Sequence, residues 1–281
     1  MATKAPFSHR VKTTIRRQVV ALFNDVNRGE TPVARSDQAL FAPGSVVWRV
    51  HGDVGSMMVG GIASLLLQML HPAVLAGVWD HSNFRQDMHG RLRRTARFIA
   101  KTTYAHHEVA EASMAQVRRI HDQVTGTLPD GTPYRANDPK LLAWVHVTET
   151  SSFLDAWIRY GEPLMSGADQ DQYFAQMARV GEALGADPVP RSRAEAKRIV
   201  AEIRPELKVD ERTREVAGII LEGRGAPPMA DTARKLAMQA GVDLLPSWAR
   251  TMHGLNLSLL ERPLVRAGTF GVAHTLRWAF R

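Results

Sequence analysis

From Val54 to Trp79 the chain runs without a single Asp, Glu, Lys or Arg, and this stretch limits the fold more than any other. Met57, Met58, Leu65, Leu66, Leu67, Met69 and Leu70 would surround a helix on nearly every side, so such a helix must be enclosed by other elements. The stretch is long enough to raise the question of a membrane span, but Gln68, His71, Pro72 and several glycines interrupt it. Proline suits the first turn of a helix and not its interior. The expectation is a central core helix, a short second helix from Pro72 to Trp79, and no transmembrane segment.

Around that centre the apolar periodicity is helical almost throughout. Residues 9–28 alternate basic positions with Val11, Ile15, Val19, Val20, Leu22 and Phe23, which predicts an amphipathic helix lying on the body with its basic face in solvent. A polar loop rich in Gly, Pro and Ser follows, so the chain divides into residues 1–44 (N-terminal helix and loop) and residues 45–281 (the main helical domain). Pro129-Asp130-Gly131, flanked by Leu128 and Tyr134, predicts a short hairpin. Asp138-Pro139 is an N-cap followed by an N1 proline and opens a long helix to about residue 160, with Leu142, Val145, His146, Glu149, Phe153 and Ala156 on its inner face. Further helices are expected over 169–184, from the Ser192/Glu195 capping box to 203, and over 210–221, 231–252, 255–260 and 270–280, with a loop at 223–228 (GRGAPP). The fold class is all-α, with about ten helices.

Composition excludes much of the remaining chemistry. The 281 residues are 44% hydrophobic and 23% charged, as in a soluble globular protein. A formal charge of +8 would permit nucleic acid or an anionic surface as partner, yet the arginines are dispersed and no basic run carries interleaved aromatics, so no nucleic-acid partner is expected. The absence of cysteine excludes disulfides, Fe–S clusters, covalently attached haem and a thiolate haem ligand. The N-terminus lacks the apolar segment of a signal peptide, which points to the cytoplasm. There is no P-loop, no G-x-G-x-x-G after a strand, no H-E-x-x-H, no Glu-x-x-His pair and no G-x-S-x-G.

Any metal must then be held by His, carboxylate or Tyr, and residues 89–124 concentrate the candidates. They read as two helices with a break near Ala105-His106. Arg91, Arg94 and Thr95, spaced i, i+3, i+4, share one side of the first. Met114, Val117, His121 and Val124 form an apolar stripe with one imidazole on the second. Such a stripe facing cations suits a flat apolar cofactor with acidic edges, for which haem is the candidate. Arg118, Arg119 and the arginines of 91–97 would meet its propionates. His121 has a second reading, as a hydrogen-bonded core histidine. His146 is a rival ligand on another apolar face, with Glu149 one turn away to orient it. His106-His107 is a helix cap, a surface feature or a ligand pair.

The segments GGIASLLLQMLHPAVLAGVWDHSNF, RLRRTARF and VRRIHDQVTGTLPDGTPYRANDPKLLAWVH resemble the haem-dependent oxygenase family that includes latex clearing protein (rubber oxygenase) and the fungal MpaB oxygenase, over roughly residues 45 to 250. The resemblance implies a globin-like helical core with one noncovalent haem b. In it His121 matches the proximal ligand, and Arg91, Arg94 and Thr95 match a distal Arg-x-x-Lys-Thr segment. Arg94 stands where the rubber enzymes have lysine; it stays protonated and offers no lone pair to iron, so it would instead hydrogen-bond the oxidant or clamp a substrate carboxylate. Thr95 would deliver a proton. Together with the missing export signal, this implies oxidation of a small or lipid-like molecule by O₂ or peroxide in place of polyisoprene cleavage. A haem-binding sensor or carrier without turnover, and a haem-free helical scaffold, are the competing readings.

Overall fold

In the computed structural model, which describes residues 7–222, 231–258 and 260–280, the charge-free stretch folds as two helices bent by 103° at the His71-Pro72 junction. In chain order the described helices are α1 (Phe7–Phe23), α2 (Val46–His51), α3 (Val54–Gln68), α4 (Pro72–His81), α5 (Phe84–Tyr104) and α6 (His107–His121). After a hairpin of β1 (Thr125–Thr127) and β2 (Pro133–Arg135) come α7 (Pro139–Tyr160), α8 (Gly167–Leu184), α9 (Arg193–Ile203), α10 (Glu211–Glu222), α11 (Asp231–Leu244), α12 (Ser247–His253) and α13 (Glu261–Phe280). The all-α expectation holds, with a two-stranded sheet as its sole exception among the described residues. The loop expected at 223–228 lies outside them.

Helix α3 is the axis, packed most closely against α7 and then against α11 and α13. Gly60 permits the approach: a Cβ there would lie 2.8 Å from both the Phe153 ring and the Ser152 carbonyl oxygen of α7. Trp144, Leu154 and Tyr160 of α7, Leu66 of α3 and Tyr173 and Phe174 of α8 fill the surrounding core. At the bend, His71 Nδ1 accepts the Ala73 N–H at 3.3 Å, so the imidazole caps the helix that Pro72 begins. No single described helix is long and apolar enough to cross a membrane.

The described residues form thirteen α-helices where about ten were expected, a short separate α2 among them, and two C-terminal boundaries differ from the expectation. The helix expected over 231–252 breaks before Pro246, which has no N–H to continue it, giving α11 and α12. Residues 255–258 are not helical, whereas α13 begins well before residue 270. Ser258 and Glu261 start it by reciprocal capping: Glu261 Oε2 accepts the Ser258 N–H at 2.8 Å and Ser258 Oγ accepts the Glu261 N–H at 3.2 Å.

Buried carboxylates fasten α13 to the body. Asp243 of α11, fully enclosed, accepts from Arg159 at 3.0 Å, Arg262 at 2.6 Å and Arg266 at 2.7 Å. Asp53 caps α3 through the Ser56 N–H at 2.8 Å and accepts from Arg277 at 2.5 Å. Helix α1 lies on α13 and α5.

Candidate functional site

The Arg91–Thr95 segment is set by an interruption inside α5. Asp87 leaves helical geometry (φ −141°, ψ 57°), and its Oδ1 accepts the Gly90 N–H at 2.8 Å, so the helix in effect starts again at an Asp cap. Gly90 is required there, because a Cβ would sit 2.1 Å from Asp87 Oδ2. The same carboxylate lies 3.5 Å from Arg94 Nη1. Arg94 and Thr95 are exposed, and the Thr95 hydroxyl donates back to the Arg91 carbonyl at 3.2 Å. Arg91 alone of the three turns inward. Burial and neighbouring Arg94 pull its pKa down to about 10, and among the described residues no hydrogen bond or ion pair holds its guanidinium. A desolvated cation without an anion is costly unless something supplies the negative charge.

Helix α6 packs against α5 and ends at His121. Arg118, Arg119 and His121 occupy its last turn, where the helix dipole favours cations. Asn137, from the turn after β2, clamps this end: its Nδ2 donates to the Arg118 carbonyl at 3.1 Å and to Asp122 Oδ1. His121 Nδ1 and Asn137 Oδ1 are both buried, and neither makes an aligned hydrogen bond. The two are complementary, since an Nδ1–H would donate to that oxygen. Burial lowers the His121 pKa, Asn137 and Asp122 oppose the fall, and Arg91 adds to it. The imidazole is therefore neutral at physiological pH, the form a metal ligand requires.

The other expected residues are dispersed. Arg118 is exposed and reaches the Ala183 carbonyl at 3.3 Å, and Arg119 is exposed. His146 is buried on α7 with Nε2 unpaired, its ring so close to Gly181 of α8 that a Cβ there would lie 3.0 Å away; burial takes its pKa down to about 4. Glu149 makes no hydrogen bond to it, and burial raises that carboxyl to about 7. His106 caps α6, with Nδ1 accepting the Glu108 N–H at 3.4 Å, and His107 Nδ1 lies 3.2 Å from the Gln38 carbonyl.

Two groups went unread in the sequence. One is Asn137, which looks like an ordinary turn residue before the Asp138 cap. The other is the buried set in which His51 Nδ1 meets Thr103 at 2.8 Å and Nε2 meets Tyr173 at 2.9 Å. An enclosed cavity of about 60 Å³ beside Leu67, Trp144 and Trp248, and an open cleft of about 570 Å³ beside Gln38, His107 and Arg179, both lie away from Arg91 and His121.

The donor set at the α5–α6 contact thus joins a neutral imidazole to a desolvated guanidinium. No curated protein and no solved structure matches the chain. The family model described as the ER-bound oxygenase mpaB/B'/rubber oxygenase catalytic domain matches residues 48–278. That span takes in every helix from α3 to α12 and most of α2 and α13. The chain belongs to the mpaB and rubber oxygenase family, an enzyme family of oxidoreductase type that takes O₂ and a substrate.

Proposed function

We propose that this oxygenase uses haem b, which His121 would hold noncovalently through its iron, to oxidise a small or lipid-like apolar substrate with O₂ or peroxide. The observation that carries the reading is the meeting of two groups at the α5–α6 contact: a desolvated guanidinium without an anion and a neutral imidazole whose Nδ1 faces Asn137 Oδ1. A haem would suit both, with a propionate for Arg91 and iron for the Nε2 of His121. When bound, it supplies the activation of the oxidant.

The chain's own groups have separable tasks. An Nδ1–H of His121 directed at Asn137 Oδ1 selects the tautomer that leaves the Nε2 lone pair free for iron. Arg91 would hold negative charge where water screens it only in part. Arg94, exposed and 3.5 Å from Asp87, would meet an incoming acidic group, and Thr95 would offer a hydroxyl beside it. Arg94 has no lone pair to offer, so it would not ligate iron from this place in the chain.

The test is the absorption spectrum of wild-type protein beside His121→Ala, both produced with haem precursor and both titrated with haem after purification. A sharp Soret band near roughly 400 nm in the wild type, lost in the variant and restored by added imidazole, is the expected result. A band untouched by the substitution moves the ligand to His146 or His106-His107. No band after titration refutes the haem reading and leaves the oxygenase assignment to rest on the family alone. Oxygen consumption by the loaded protein then separates turnover from carriage.

A further inference from the structure

Helix α13 presents to solvent a largely apolar face interrupted by the imidazole of His274. Leu260, just before the helix, and Leu264, Ala267, Gly271, His274 and Trp278 recur at spacings of four and three residues, the repeat of one helical face, and all are exposed. Leu264 is 73% exposed and Phe270, at the edge of the same face, 48%. An exposed, largely apolar strip of this kind marks a contact surface. The opposite face, with Val265, Thr269, Ala273 and Ala279, is the one buried against the body.

Its neighbour supplies the second half of the pattern. Helix α1 contains no acidic residue and carries Arg10, Lys12, Arg16 and Arg17. It runs beside the apolar strip: Lys12 Nζ lies 4.9 Å from the Trp278 ring centroid, and Arg16 donates to the Ala279 carbonyl. Arg10 and Arg17 are exposed, with no ion pair among the described residues. On α13 the single acid is Glu261, engaged in its own cap.

We infer that α1 and α13 together form a docking face for an anionic lipid bilayer, with the α13 strip entering the headgroup and acyl boundary and the α1 cations meeting lipid phosphates and carboxylates. An aromatic and leucine face bordered by Arg and Lys is the pattern of an element lying in the interface plane. A second copy of the chain fits less well. Pairing two α13 strips about a two-fold axis would bring the two cationic α1 helices together with no acidic strip between them. The inference is independent of the haem reading.

The test is co-sedimentation of the full chain with phosphatidylcholine vesicles with and without phosphatidylserine, at low and high salt. Binding that requires phosphatidylserine and falls with salt is expected. Leu264→Glu/Phe270→Glu should abolish it, and Arg10→Glu/Arg17→Glu should weaken it at least about tenfold, given the attraction of each basic residue to an anionic leaflet. Both pairs are exposed, and circular dichroism checks that each variant remains folded; if the first unfolds, the second decides. No binding to phosphatidylserine vesicles, or equal binding by wild type and the folded variants, overturns the inference. A dimer in light scattering that Leu264→Glu/Phe270→Glu dissolves, without vesicle binding, overturns it in favour of a second copy.

Discussion

Replacing Arg91 by methionine is expected to make the haem-free protein more stable. The fall of the Arg91 pKa to about 10 reflects burial first and Arg94 second. At about 1.4 kcal/mol for each tenfold change in proton affinity, that fall corresponds to an upper bound of about 3 kcal/mol. The guanidinium is charged in both folded and unfolded chains at neutral pH. The whole penalty is therefore present there and is relieved only as the pH rises past 10. Methionine keeps the packing of the arginine stem and removes the charge. The expected gain is about 1–3 kcal/mol, read as a rise of a few degrees in Tm, with loss of haem affinity in the same variant. Arg94→Met, at an exposed position, should stay within about 0.5 kcal/mol. Differential scanning calorimetry of the haem-free proteins measures both. A fall in Tm for Arg91→Met would mean that the guanidinium has an anionic partner within the protein, and the argument for a missing anion would fail.

Two further outcomes follow from the packing around α7. Glu149 is held up at about 7 by burial, so its protonated form is favoured on folding, and the stability it contributes is present below its ordinary range and lost as the pH rises from that range to about 7, above which the penalty is constant. His51 and His146, depressed to about 3 and about 4, act in the opposite sense below pH 6.5. The clean readout is therefore the difference in Tm between wild type and Glu149→Gln, which should grow in favour of the variant between about pH 5 and about pH 7 and level off above; a flat difference would count against a buried ionisable carboxyl. Gly60→Ala should cost about 1–3 kcal/mol in denaturant unfolding, because its new Cβ meets the Phe153 ring and the Ser152 carbonyl. An unchanged midpoint would show that α3 and α7 have slack.

The sequence features that proved readable are those whose cause is local. His71-Pro72 bends the charge-free stretch, Asp138-Pro139 starts α7, and Pro129-Asp130-Gly131 turns a hairpin whose Tyr134 donates to Asp80 at 2.7 Å. Helix α13 was harder, because its apolar residues lie on both its buried and its exposed sides and blur the 3.6-residue period; the Ser258/Glu261 cap was the signal available. At the site, spacing put Arg91, Arg94 and Thr95 on one side of a helix but could not say which of them turns inward. The Asp87 interruption and the contact with α6 decide that. Asn137 beside His121, and Tyr173 beside His51, are meetings of residues distant in the chain, and no local pattern announces them.

The two carboxylates that hold α13 also make its arrival the step that neutralises the interior. Asp243 takes two of its three cations, Arg262 and Arg266, from the last helix, and Asp53 takes Arg277. A chain emerging from the ribosome would have laid down α3, α7 and α11 while Asp53 still lacked its cation and Asp243 had one of three. Uncompensated carboxylates in an apolar core are unstable, so the body should stay open to solvent until α13 docks. Docking of α13 thus closes the interior, and without it Asp53 and Asp243 would lack those cations.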